Sequence, residues 1–344
     1  MILLEVSLRL FGYGTDLSLF SKEQLNGKTF LVMNQGVKGR YFSRVDFTPN
    51  TSPDYFQMPK PDSTFRIFCL GGSTTAGFPY GFAGSFSTYL RDRLHMIFPD
   101  KKIEVINLGM TATNSFTVLD IAKELPEYGP DLILVYDGHN EFYGALGIAS
   151  HESFINSRWA TLLYLRLVHL RSFQLLRSMF SHAAAAIGTT STEQQSGTMM
   201  ERLASGQYIP YRSDTYRLGL EIFRENVTEL GELCRKHSIP LFLGSQVSNL
   251  RDLPPFVSVE KKNNSPSISD SLLHAGTQLT DKGLFGEALS VFEKGLKPDS
   301  TRADIQFRAA RCLDTLGRKQ EALARYIKAR DYDMLRFRMS SDFN

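Results

Sequence analysis

The stretch Arg66–Tyr80, RIFCLGGSTTAGFPY, runs from an apolar segment into two glycines, a serine and a second cluster of small residues. An unbroken apolar run that ends at glycine is the pattern of a parallel strand covered on both faces. A hydroxyl placed just after such a strand has three readings: a turn serine, part of a phosphate cradle, or a nucleophile. The phosphate cradle fails on residue type, because Phe78 follows Gly72 and Gly77 where a P-loop requires lysine. The dinucleotide fingerprint also fails, as does the Gly-x-Ser-x-Gly elbow, whose last glycine position is held by Thr75.

The same texture recurs on either side. KIEVINLGM (102–110) is a second apolar run, ending at Gly109, and PDLILVYDGHNE (130–141) a third that reaches Gly138. Between these runs lie AGSFSTYLRDRLHMIFP (83–99), apolar at helical spacing and stopped by Pro99, and TNSFTVLDIAKELPEYG (113–129), also helical in pattern. Strand, helix, strand, helix, strand predicts a doubly wound α/β sheet. A helix over 215–237 and a fourth strand over 239–247 extend it. In such sheets the carboxyl ends of the strands line one crevice. Ser73, Gly109 and Asn140 are therefore expected to converge there, and three donors around one point would make an oxyanion hole.

Bulk properties narrow the classes. The chain has 344 residues, a length that suggests two units. Its 42% hydrophobic content, with 25 Phe and 14 Tyr, is ample for packed cores. A net charge of +3 with scattered Lys and Arg gives no support to nucleic-acid binding. Cys69, Cys234 and Cys312 are sparse and far apart, without metal-ligand spacing, and read as buried thiols. No run of 18 or so apolar residues occurs, so no spanning helix is expected. The opening MILLEVSLRLFGYG reads as a short first helix or as the last turns of an anchor.

Residues 1–64 read as an irregular lead-in and 65–260 as the α/β domain, interrupted by a helical cap over 151–213. Within the cap, residues 159–180 read as one strongly apolar helix carrying Arg166, Arg171 and Arg177, followed by a low-complexity loop at 183–198. A cap over the crevice and a basic amphipathic helix on a membrane both fit this pattern.

Beyond residue 265 the texture changes. AGTQLTDKGLFGEALSVFEKGL (275–296) and AARCLDTLGRKQEALARYIKAR (309–330) align without gaps, at an offset of 309 − 275 = 34 residues. Leu279 matches Leu313, Gly283 matches Gly317, Ala288 matches Ala322, and Phe292 matches Tyr326. This period resembles the tetratricopeptide repeat, which assigns 266–334 to two all-α repeats able to hold a protein partner. Residues 335–344 read as the start of a further segment.

The blocks FCLGGSTTAGFP, INLGMTATNS and VYDGHNEFYG resemble, in order and spacing, the first three blocks of the SGNH (GDSL-type) serine hydrolases. The resemblance covers about residues 65–250. It implies a flavodoxin-like three-layer fold with Ser73 as nucleophile, and with the Ser73 amide, Gly109 and Asn140 as oxyanion donors. Gly72 replaces the aspartate of the usual Gly-Asp-Ser, and Glu141 follows His139 and Asn140 where a second aspartate is common. An ester substrate is implied, with carbohydrate O-acyl transfer as the near variant, and no metal or organic cofactor. The family completes its triad with Asp-x-x-His after a late strand, and no such pair stands there in this chain; Asp270 and His274 have the wrong spacing and setting. The expectation is a truncated enzyme, inactive or nearly so unless His139 serves as base. The related bacterial branch implies membrane association at the extracytoplasmic face of an inner membrane. The rival reading is a non-catalytic scaffold that binds partners through its repeats.

Overall fold

A computed structural model of the chain describes residues 2–42, 51–150, 157–186, 207–258 and 267–344. The loop expected at 183–198 lies almost wholly outside these residues. The chain forms two compact units, Met1–Ser205 with Ile222–Ser245 and Gly206–Glu221 with Gln246–Asn344.

The first unit is built on a parallel sheet of β4 (Thr64–Gly71), β5 (Lys102–Asn107), β6 (Leu132–Tyr136) and β7 (Leu241–Leu243), in the order β5-β4-β6-β7. Register pairs Ile67 with Val105 on one side and with Leu132 on the other, and Ile133 with Leu241. The unbroken apolar run of β4 follows from its double coverage. Ile67 and Cys69 join Val105 under Phe86, Leu90 and Leu94 of α3 (Phe86–Ile97). Phe68 turns the other way and meets Phe56 edge to face at 5.3 Å. Each such side chain contributes about 1.5–3 kcal/mol when fully buried. The fourth strand is shorter than expected and forms the sheet edge, with Phe242 63% and Leu243 53% exposed.

The lead-in is not irregular. β1 (Phe20–Leu25), β2 (Lys28–Met33) and β3 (Tyr55–Met58) form an antiparallel sheet. β1 and β2 are joined by Asn26-Gly27 at φ +52° and +73°, the left-handed pair that a two-residue hairpin turn requires. Arg66 of β4 is fully buried and links the two sheets, donating to the Glu104 carboxylate at 2.6 Å and to the Gln57 carbonyl at 2.8 Å.

The single helix expected at 159–180 is two, α5 (Arg158–Leu167) and α6 (Arg171–Ala186). The second start has a distant cause. Helix α1 (Ile2–Leu10) presents Glu5, whose carboxylate accepts the Ser172 amide at 2.9 Å, the Arg171 amide at 3.0 Å and the Ser172 hydroxyl at 2.9 Å. These donors, the Ser172 amide first, hold Glu5 down to about 2. A carboxylate at a helix N-terminus satisfies its orphan amides. Among the described residues no helix is long and apolar enough to cross a membrane.

The described residues of the second unit include the helices Ile268–Asp281, Phe285–Gly295, Ala303–Thr315 and Lys319–Asp331. Each pair turns at a glycine, Gly283 at φ +77° and Gly317 at φ +80°. Gly276 lets the first two helices close up, since a Cβ there would lie 2.3 Å from the Phe292 ring. One period later Ala310 and Tyr326 are likewise buried. Leu323 is 48% exposed although its counterpart Leu289 is buried; among the described residues no helix pair follows to cover it. The final residues lie along 209–216, where the Ile209 amide donates to the Met334 carbonyl and the Tyr216 hydroxyl meets Ser340 Oγ at 2.6 Å.

Candidate active site

β4 ends at Gly71, and Gly72 precedes a single helical turn, α2 (Ser73–Ala76). Ser73 is half-buried, and neither its hydroxyl nor its amide makes a hydrogen bond among the described residues. The first amides of a helical turn have no acceptor within it, so they point outward as donors. The Gly77 and Phe78 amides close the turn on the Ser73 carbonyl.

Asn140 lies in the turn after β6 and is 7% exposed. Its Nδ2 stands 3.4 Å from the point where a Cβ on Gly72 would be, with Asp137 Oδ1 at 3.1 Å and the Thr113 carbonyl at 3.6 Å from the same point. The carboxamide thus faces the residue immediately before Ser73.

Gly109 reaches the same turn from β5. A Cβ there would lie 2.4 Å from the Ala76 nitrogen and 2.7 Å from the Thr75 carbonyl carbon, so only glycine fits. Its amide is engaged rather than bare. The Leu108 and Met110 amides pair with the carbonyls of Cys69 at 2.8 Å and Gly71 at 3.0 Å. Alternation along an extended chain turns the Gly109 amide the other way, where Asn107 Oδ1 accepts it at 2.8 Å.

Asn107 was not singled out from sequence. It is fully buried, and its Nδ2 donates to the Thr75 carbonyl at 2.7 Å and to Ser87 Oγ at 2.8 Å. Its signal is a carboxamide ending an apolar strand, where an unpaired polar group would be costly.

His139 is half-buried and lies in the turn, beyond the last strand residue Tyr136. The two-face alternation that would separate it from Asn140 on a strand therefore does not apply. Glu141 is 2% exposed and sits at the start of α4 (Ser115–Glu124), accepting from the Ser115 hydroxyl at 2.8 Å and the Ser115 amide at 3.1 Å. Asn226 supports this contact by donating to Ser115 Oγ at 2.8 Å. Burial pushes Glu141 up to about 8, with the Asp137 charge adding to it. Asp137 is pushed up to about 7 by burial, against amide donation from Gly138 and Gly72.

One Asp-x-x-His does occur, Asp92 to His95, but on α3. His95 Nε2 lies 2.9 Å from the Ile103 carbonyl, at the start of β5 and so at the sheet end opposite Ser73. Asp270 belongs to a capping box with Ser267 and pairs with Arg302 at 2.8 Å. Among the described residues no group of three or more His, Cys, Asp or Glu side chains is arranged to hold a metal ion, and the three cysteines are buried and unbridged.

No protein-family model matches the chain, and no curated protein matches it. Solved structures similar to it include AlinE4, an SGNH-hydrolase family esterase, at 17% identity over 65% of this chain and 99% of that one, with a TM-score of 0.27. The lipase/acylhydrolase from Enterococcus faecalis is 20% identical over 52% of this chain and 74% of that one, with a TM-score of 0.25. TesA is 14% identical over 68% of this chain and 98% of that one, with a TM-score of 0.25. The functional reading rests on the chain's own residues.

Proposed function

We propose that this protein is a serine ester hydrolase of SGNH type, in which Ser73 forms an acyl-enzyme. The observation that supports this most directly is the Asn140 carboxamide facing Gly72, beside a serine whose hydroxyl and amide have no partner among the described residues. Ser73 Oγ attacks the ester carbonyl, and the tetrahedral oxyanion takes hydrogen bonds from the Ser73 amide and Asn140 Nδ2. The Gly109 amide, already bonded to Asn107, is assigned to holding the turn. Collapse breaks the ester C–O bond and the alcohol leaves with the proton that Ser73 gives up, carried through solvent; water or a second hydroxyl then attacks the acyl-enzyme, and its proton returns to Ser73 Oγ. The helices of 266–334 are read as two tetratricopeptide repeats, a protein-binding module beside the hydrolase domain of 65–260.

With no Asp-x-x-His behind a late strand in residues 1–344, these residues are expected to capture an electrophile once and to turn esters over only at residual rates. Intact-mass analysis after treatment with a fluorophosphonate tests the reading. A single adduct mapping to Ser73 and missing from Ser73→Ala is expected. Unchanged labelling of the Ser73→Ala chain, or no adduct at all, would refute it.

A further inference from the structure

The Asp137 carboxyl occupies the space that a side chain on residue 72 would fill. Its Oδ1 lies 3.1 Å from the point where a Cβ on Gly72 would stand, and Asn140 Nδ2 is 3.4 Å from that point. The Gly138 and Gly72 amides face the carboxyl and favour its ionised form. Its Oδ2 is shut off from solvent and meets no hydrogen-bond partner among the described residues. One short side chain thus faces the Gly71–Gly72 peptide, one residue before Ser73, and borders the Asn140 carboxamide. A buried carboxyl with an oxygen unpaired is unfavourable for stability alone.

We propose that Asp137 is the positioning residue of this site, fixing the Gly71–Gly72 peptide to the end of β6 so that the Ser73 hydroxyl and the Asn140 carboxamide address one point. Gly72 is its complement, since a Cβ there would lie 3.1 Å from Asp137 Oδ1 and would press the carboxyl out of its place. The inference rests on the reading of Ser73 as nucleophile.

The surrounding groups make the carboxyl sensitive to protons. Glu141 couples to it electrostatically and His139 is the other titratable residue of the same turn; the Gly138 and Gly72 amides, the Thr113 carbonyl and the Asn140 carboxamide add dipoles, and Ser115 of α4 donates to Glu141. Burial raises Asp137 to about 7 and Glu141 to about 8. Below that range the pair is not fully ionised, and fewer negative charges stand behind the oxyanion donors.

The test follows the second-order rate of Ser73 phosphonylation by a fluorophosphonate, on the full chain, between about pH 6 and about pH 9. Asp137→Ala is expected to lower the rate at least about tenfold, and Asp137→Asn, which keeps an acceptor for the Gly72 amide, to recover most of it near pH 6. The Asn variant is further expected to lose the part of the pH profile that falls between about 7 and 8. Equal losses in both variants, or no loss in either, overturn the positioning role. Thermal midpoints supply a second arm. Gly72→Asp is expected to lower the midpoint, and adding Asp137→Gly to raise it again; additive losses overturn the shared-space argument. If Ser73 takes no label in the unaltered chain, the nucleophile reading falls and the positioning role with it. Coupled midpoints with unchanged labelling refute the positioning role alone.

Discussion

Asn107 holds Thr75 in place: its Nδ2 donates to the Thr75 carbonyl at 2.7 Å, across the gap between the end of β5 and the turn that carries Ser73. The same carboxamide takes the Gly109 amide at 2.8 Å and reaches Ser87 Oγ. Asn107→Ala therefore strands two groups, the Thr75 carbonyl and the Gly109 amide, each worth about 1–3 kcal/mol when left unsatisfied, while Ser87 Oγ keeps Ser85 Oγ at 2.8 Å. Urea unfolding should register a loss above about 2 kcal/mol. A loss within the ordinary range for exposed sites would mean that the turn finds other partners.

Asn140 predicts a different signature. Its side chain makes no hydrogen bond to the fold among the described residues. Asn140→Ala should slow Ser73 phosphonylation by about 10²–10³-fold, the usual effect of losing one oxyanion donor. The same variant should leave the urea midpoint close to that of the unaltered chain. Matched losses in rate and stability would instead make Asn140 a structural residue.

The buried pair Asp137 and Glu141 sets a pH dependence of stability. Folding raises both carboxyls, so between about pH 4 and about pH 8 the folded chain holds protons that the unfolded chain has released. Their contribution is greatest below the ordinary carboxylate range and is lost as pH rises through about 7 and 8. The slope reaches at most about 1.4 kcal/mol per pH unit for each proton. Asp137→Asn combined with Glu141→Gln should flatten the stability profile from about pH 5 to about pH 7. An unaltered slope in that double variant would show that the pair titrates normally.

Two helical glycines should respond oppositely to alanine. At Gly276 the new methyl would lie 2.3 Å from the Phe292 ring, whereas at Gly231 it meets nothing within 4 Å. Gly276→Ala should cost about 1–3 kcal/mol through overpacking. Gly231→Ala, within the helix Asp214–Lys236, should add about 0.5–1 kcal/mol from helix propensity. Thermal melts of the two single variants distinguish the cases.

The three central strands were legible because burial on both faces writes them as uninterrupted apolar runs. The β1–β2 hairpin was written too, in Asn26-Gly27, but FSKEQL of β1 keeps only Phe20 fully buried and shows no alternation. The break between α5 and α6 carries neither glycine nor proline. Its cause is Glu5, distant in sequence, and no local pattern contains it. Ser73, Gly109 and Asn140 could be named because each follows a strand end, and the order β5-β4-β6 sets those ends side by side. Asp137 and Asn107 could not, since their roles come from what they touch. The engagement of the Gly109 amide was hidden for the same reason.

The outer rim of the parallel sheet bears on how this protein behaves at high concentration. Among the described residues, Leu241–Leu243 has a strand on one side of its backbone only, and it sets Phe242 and Leu243 against water. Such rims recruit strands from other molecules, and natural chains commonly blunt them with lysine or proline. Purified material is therefore expected to self-associate through this border as concentration rises, and Phe242→Lys to keep it monodisperse in light scattering.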